Sequence, residues 1–506
     1  MEITLIGLVV TAFALASLVM GERALLFLCV ALLPFGMASI ANIHGSGNLS
    51  IPAAEAVAGL LVLGVIHPLL GRQGVFALSP LMKVRAILML FCLYSVLAAI
   101  FLVRAFAGDV LVFPLARDMD GLRLDSFFRT FVIALRPSSS NLAQTFYLLL
   151  SVASFFAFTK LLHKHSVSVF HRALLVCATL NIILGVMDIL GLDSLLAFVR
   201  TANYALLTHQ ETASLPRAIG GFPEPAAFGT FTATLFIYFS RHFVLSSNSL
   251  SAALAMANGM LAVMTFSSTS YAGISFGFGF LCVFAWLKFM GGRANVVEIF
   301  LLHLIPFTVV LLVLTTLLIN IGIDYNAIID SVLTNKLDSD SARERAAWAA
   351  YALGAFWETY GLGVGPGSLR GNGWASVYLG SLGLPGTVLM VAFLWVTLFA
   401  SRVRSIVDRE ERDISLSAKT AAMTMLVMLM ITATTPNPGI LLMLLVAIVF
   451  KSQWADHSRP SMPKCRDAHA NALSSADGFA TFPGSFSSVT SEYGRDTFHP
   501  CSQRAR

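Results

Sequence analysis

Charge is what this chain has least of. Asp, Glu, Lys and Arg make up 12% of its 506 residues, about half the share usual in soluble domains, while 57% of the residues are hydrophobic and the mean hydropathy is +0.79. That scarcity excludes an ordinary soluble globular protein. Cysteine is also sparse. Cys29, Cys92, Cys177 and Cys282 fall in apolar runs and Cys465 and Cys501 in the last fifty residues or so, so no disulfide framework or metal cage is implied. MEITLIGLVV at the start has no basic residues ahead of its apolar stretch, and further apolar runs follow, so a cleaved secretory signal is not expected. No internal repeat is visible, and few charges lie deep in apolar runs; Glu55 and Asp188 both sit toward run ends. A transporter or flippase built from two related halves around a midplane ion path is therefore a weaker reading.

What is present is a succession of apolar runs, many near the roughly 20 residues a helix needs to cross a bilayer. They cover 3–20, 24–40, 52–70, 86–103, 142–158, 173–192, 226–239, 250–266, 271–289, 299–321, 374–400, 421–435 and 439–450. Backbone polar groups in lipid must be satisfied within the segment, so such runs are expected to be helices. The expected fold class is thus all-α: a polytopic integral membrane protein of about 12 to 13 transmembrane helices, with residues 1–455 as the membrane domain. Residues 456–506, rich in Ser and poor in apolar residues, are expected to form a disordered cytoplasmic tail.

Lys and Arg resist translocation, and the short loops alternate accordingly. Arg72, Lys83 and Arg85 mark one cytoplasmic loop; Lys160, Lys164 and Arg172 the next; then Arg241 with His242, Lys288 with Arg293, and Arg402, Arg404, Arg409 and Arg412. Parity then places 104–141, 193–225 and 322–373 outside, although Arg117, Arg123, Arg129 and Arg136 in the first of these run against the rule. The net charge of +6 fits loops held on an anionic leaflet, so membrane lipids are the expected partner and nucleic acid is not.

The external stretches carry the polar chemistry. In SARERAAWAAYALGAFWETY, from Ser341, Ser341 and Glu344 have the spacing of a capping box, which would place Arg343 and Arg345 in a first helical turn. Guanidinium groups beside unpaired helix N–H groups suit a phosphate, and an interfacial helix solvated by its arginines is the plainer alternative. GLGVGPGSLRGNG follows, from Gly361 to Gly373. It lacks the Gly-Lys-Ser/Thr of a nucleotide loop and follows a helix rather than a strand, so a Schellman helix end is the plain reading of its glycines, with Arg370 left to meet an anion. GLPG at 383–386 puts a proline in an apolar run and predicts a kink. LPRAIGGFPEP, from Leu215, sets Arg217 and Glu224 around a Gly-Gly turn ahead of a helix; Glu224 is either a helix-dipole partner or a general base. His209 is a candidate acid or base nearby. Asp118 with Asp120 and Asp338 with Asp340 are acidic pairs that chance readily supplies, and no metal or other cofactor is expected. Ser267 to Ser270 could meet a sugar or only turn the chain.

The order R-x-x-G-x-F-x-E-P before an apolar run, then an arginine-bearing helix, then GxGxGSxR and GLPG, resembles the O-antigen polymerase and ligase superfamily, nearest in flavour to exopolysaccharide polymerases. The resemblance implies a GT-C-like membrane fold with two large extracytoplasmic loops in the bacterial inner membrane. It implies a glycosyltransferase that takes an undecaprenyl-pyrophosphate-linked oligosaccharide as donor, without nucleotide, and that works beside chain-length regulator and export proteins. It assigns Arg217, Arg343, Arg345 and Arg370 to the pyrophosphate or glycan. Gly363, Gly365, Gly367, Ser368, Asn372 and His209 become candidate substrate contacts, and Glu224 the candidate base. Ligases typically carry a histidine just before an asparagine after the glycine motif; this chain reads Arg370-Gly371-Asn372, which favours a polymerase over a ligase acting on a lipid or protein acceptor.

Overall fold

In a computed structural model the chain is described at residues 2–43, 49–66, 80–115, 123–125, 130–203, 211–212, 215–302, 340–400 and 408–457. The described part is mostly helical, and six of its helices are long and apolar enough to cross a membrane. His209, Asp118, Asp120, Asp338, most of the 299–321 run and nearly all of the tail lie outside the described residues.

The principal helices are α1 (Leu5–Met20), α2 (Glu22–Ala31), α3 (Ala53–Ile66), α4 (Pro80–Leu97, continued as a π-turn over Ala98–Leu102), α5 (Ser139–Lys164), α6 (Val167–Ile189), α7 (Pro225–Ser246), α8 (Ser249–Met264), α9 (Ser268–Met290), α10 (Asp340–Glu358), α11 (Trp374–Leu394), α12 (Arg409–Thr432) and α13 (Ile440–His457). Their packing has the membrane signature of small residues inward and large apolar residues outward. On α1, Gly7, Val10, Ala14 and Ser17 are buried while Leu8, Phe13, Leu15 and Val19 are exposed. On α9, Gly273 and Gly277 face neighbouring helices, and Phe276, Val283, Trp286 and Leu287 face outward. Apolar exposure on that scale suits lipid rather than water. α13 is the reverse case. Every residue from Ile440 to Phe450 is buried, as expected of a helix apolar on all sides, and the Phe155 ring lies 5.1 Å from Phe393 and 5.8 Å from Phe450.

One expected span is corrected. The 24–40 run does not make one helix: α2 ends at Ala31 and the chain turns through Pro34 into the strand β1 (Ser39–Ile43), which pairs with β2 (Leu49–Pro52). Proline and glycine break the helix here. The apolar residues after the break are used against the loop that precedes α7: Gly36 lies against the Phe222 ring, and Met37 N donates to Gly221 O at 2.8 Å. The expected GLPG kink is present as a true break. Gly383 adopts φ 61°, ψ −166° inside α11, and Leu384 N donates to Gly361 O at 2.8 Å.

Candidate functional site

The glycine motif begins where α10 ends. Tyr360 takes a left-handed φ of 53°, Gly361 N donates to Phe356 O at 2.8 Å and Tyr360 N to Trp357 O at 3.1 Å, which is the bonding pattern of a Schellman motif. Beyond it the loop is drawn into the protein. Val364 N donates to Gly380 O (2.9 Å), Gly365 N to Ser381 O (2.8 Å) and Gly373 N to Ala433 O (2.9 Å). Gly363, Gly365 and Gly367 have φ near 80°, and a Cβ on Gly365 would stand 2.7 Å from Ala98 O, while one on Gly367 would overlap Ser140 O. Buried Asn141 donates to Pro366 O (2.9 Å) and Ser368 Oγ (2.7 Å), and Ser368 Oγ donates to Val364 O (2.6 Å).

Gly363, Gly365, Gly367 and Ser368, expected as substrate contacts, are all buried; Gly363 N donates to Thr359 Oγ1 at 2.9 Å, Gly365 N to Ser381 O, and Ser368 Oγ is bonded to Asn141 and Val364. The amides of Gly363 and Gly365, already donating at normal length, have little left for an anion. Past Leu362 the loop residues that are not fully buried are Arg370 and Asn372. Arg370 is positioned by its backbone, whose N–H donates to Phe113 O (2.9 Å), and by its guanidinium, which lies 4.1 Å over the Trp348 ring. Phe113 in turn sits 5.5 Å from Trp348.

Trp348 belongs to α10, one turn beyond Arg345. The described part of α10 starts at Asp340, so Ser341 lies inside the helix instead of capping it. Arg343 and Arg345 are both exposed. Two residues apart on a helix, they project to different sides, so the pair does not form the single clamp expected of it. Arg345 is the one within electrostatic reach of Arg217.

Arg217 is half-buried, with Nε donating to Thr265 O at 3.0 Å. Burial, and then the charge of Arg345, hold its guanidinium below the usual arginine range, while Glu224 and Tyr271 pull the other way. Arginine remains cationic under such a shift, so two like charges are held near each other with one carboxylate beside them. Glu224 is the N-cap residue of α7, extended at φ −149° with Pro225 at the first helical position, and its side chain makes no hydrogen bond to the helix N-terminus. The carboxylate therefore caps no backbone amide, and its place at the N-terminus of α7 suits the helix-dipole role read from the sequence as well as that of a base. In the nearby Ser267 to Ser270 turn, Ser270 Oγ donates to Ala262 O at 2.8 Å, so this hydroxyl belongs to the fold.

What sets Arg217 and Glu224 in place is a pair that pattern reading passed over. Arg200 and Asp188 form a buried ion pair. Asp188 Oδ2 accepts from Ile219 N (2.7 Å) and Gly220 N (3.1 Å), and Arg200 Nε donates to Gly220 O (3.0 Å). The R-A-I-G-G turn is thereby clamped on both its donors and its acceptor. The available signal was an acid at the end of one apolar run with an arginine twelve residues on. Neither a family model nor a curated protein sequence matches the chain.

Proposed function

We propose that the chain is a membrane glycosyltransferase, a polysaccharide polymerase that joins undecaprenyl-pyrophosphate-linked repeat units at the outer face of a bacterial inner membrane. In this reading its helices make about 12 to 13 crossings, and the stretches carrying Arg217 and Gly361 to Gly373 are extracytoplasmic. The observation that carries it is that Arg345 and Glu224 each lie within electrostatic reach of Arg217, with Arg370 held on Trp348, a residue of the same helix as Arg345.

The grouping suits the chemistry. An acceptor sugar hydroxyl attacks the anomeric carbon of the donor, a new glycosidic C–O bond forms, and the bond from that carbon to the lipid pyrophosphate oxygen breaks. The hydroxyl proton passes to a base, for which Glu224 is the candidate, and the leaving group departs as undecaprenyl pyrophosphate. Charge gathers on that pyrophosphate as the bond breaks, and preorganised guanidinium groups stabilise it without reorganising. Arginine is suited to the task by its permanent charge and planar set of donors.

Deleting the gene and sizing the surface glycan tests the reading. Single repeat units in the deletion strain are expected, restored to long chains by the wild-type chain and not by Arg217→Ala. Long chains accumulating on carrier lipid would instead indicate a ligase, and an absence of any external repeat units would indicate a flippase.

A further inference from the structure

At the far end of α7 a second cationic place stands apart from this cluster. Arg241 lies about 25 Å along the helix axis from Glu224. It is only 4% exposed, yet its Nε and Nη1 are buried with no hydrogen-bond partner. Nearly all buried side-chain nitrogens are satisfied, and a buried guanidinium with open donors is costly. Its one described neighbour of matching character is the Phe284 ring, 5.2 Å away, and a ring face replaces only part of the lost hydration.

The acids within electrostatic reach of Arg241 are Asp413 and Glu298, and both are engaged elsewhere. Asp413 is ion-paired with Arg412 (3.3 Å) and Arg409 (3.8 Å). Glu298, fully buried, is paired with Lys288 (2.5 Å) and accepts from Asn295 N (3.0 Å).

Arg241 does face open space. α7, α9 and α12 come together at Gly277, where a Cβ would press on Ile237 and Thr424. About one turn further along they part around a cavity of about 140 Å³ lined by Arg241, Lys419, Thr420, Phe280, Phe284 and Leu416. Cations and a hydroxyl thus share one cavity with two aromatic rings and a leucine. Phe284 is also on the exposed face of α9, so the apolar side of the cavity adjoins the surface that suits lipid.

We propose that this cavity binds a phosphate group, with the Arg241 guanidinium and the Lys419 ammonium as its cationic ligands and the phenylalanine rings as the wall for an attached apolar chain. The phosphate belongs either to a phospholipid headgroup or to a soluble phosphate, and the two sources are separable. The site is independent of the glycosyltransferase reading, because it lies at the other end of α7 and is tested by binding rather than turnover.

The test uses the full-length protein purified in a neutral detergent, probed with phosphatidylglycerol, with diacylglycerol as the phosphate-free control, and with inorganic phosphate. Native mass spectrometry is expected to show saturable phosphatidylglycerol binding that Arg241→Gln weakens by about tenfold or more, the usual scale for a charged hydrogen bond, with no retained diacylglycerol. Protection against thermal unfolding by inorganic phosphate in the wild type, absent in Arg241→Gln, would place the source in solution and equally support the site. Lys419→Gln, at a half-buried position, provides a second variant should Arg241→Gln not fold, and it is expected to weaken the same binding several-fold. Equal binding of phosphatidylglycerol and of phosphate by the wild type and by the folded variants overturns the proposal.

Discussion

Arg217 is tied to a backbone carbonyl by one nitrogen and shares its surroundings with Arg345 and Glu224. Like charges held near each other repel, and a bound diphosphate relieves that repulsion. Arg217→Ala and Arg345→Ala are therefore expected to lower kcat by about a hundredfold to a thousandfold each, the range for losing one preorganised donor, measured with lipid-linked donor in proteoliposomes. Arg343, projecting to another side of α10, is expected to matter much less in the same assay; an equal loss there would argue against the grouping. The support for Arg217 has its own signature. Asp188→Ala leaves Arg200 buried with only the exposed Asp193 carboxylate, 3.7 Å away, and frees the amides of Ile219 and Gly220, which should cost about 3 kcal/mol of stability, read as a lower thermal midpoint of the purified protein.

Among the elements, the glycine loop and the broken α11 act as one joint. Gly361 and Leu362 abut Gly383, and the loop amides bond the carbonyls of Gly380 and Ser381. Gly367→Ala should be poorly tolerated, since it adds left-handed strain of about 1 to 2 kcal/mol to an overlap with the Ser140 backbone. Gly108 also has a positive φ of 89° but open space where a Cβ would go, so Gly108→Ala should show the strain alone. Comparing the folded yield and thermal midpoint of the two variants isolates the docking. The helices were legible as apolar runs, and GLPG as a break, because composition and proline act locally. The fate of the glycine loop was not: GxGxG states that the backbone must turn left-handed or pack closely, and does not say whether it turns toward a ligand or into the protein. The 24–40 run misled for a related reason. Its apolarity is as useful against Phe222 as against lipid, and Pro34 settled which.

For the molecule as a whole, the large side chains on the outward faces of α1 and α9 and the buried Ile440 to Phe450 stretch of α13 suit a helical protein with lipid on its flanks. Its orientation follows in the proposal from the basic loops. In a background without native cysteines, Tyr360→Cys, at a position 90% exposed, should react in intact cells with a maleimide that does not cross the inner membrane. Ser249→Cys, exposed at the other end of α7 and α8, should react only after that membrane is opened. The reverse pattern would remove the extracytoplasmic site and the pyrophosphate chemistry with it.

Residue types alone determined that this chain is mostly helical, with helices long and apolar enough to cross a membrane, since hydropathy and helix length are properties of each segment taken separately. They also named Arg217, Glu224, Arg345 and Arg370. Only the tertiary structure decided that Arg345 and Glu224 come within electrostatic reach of Arg217, that Trp348 holds Arg370 and the Asp188 and Arg200 pair holds the turn after Arg217, and that Arg241 lines a cavity. A guanidinium acquires its role from what lies beside it, and those neighbours come from helices far apart in the chain.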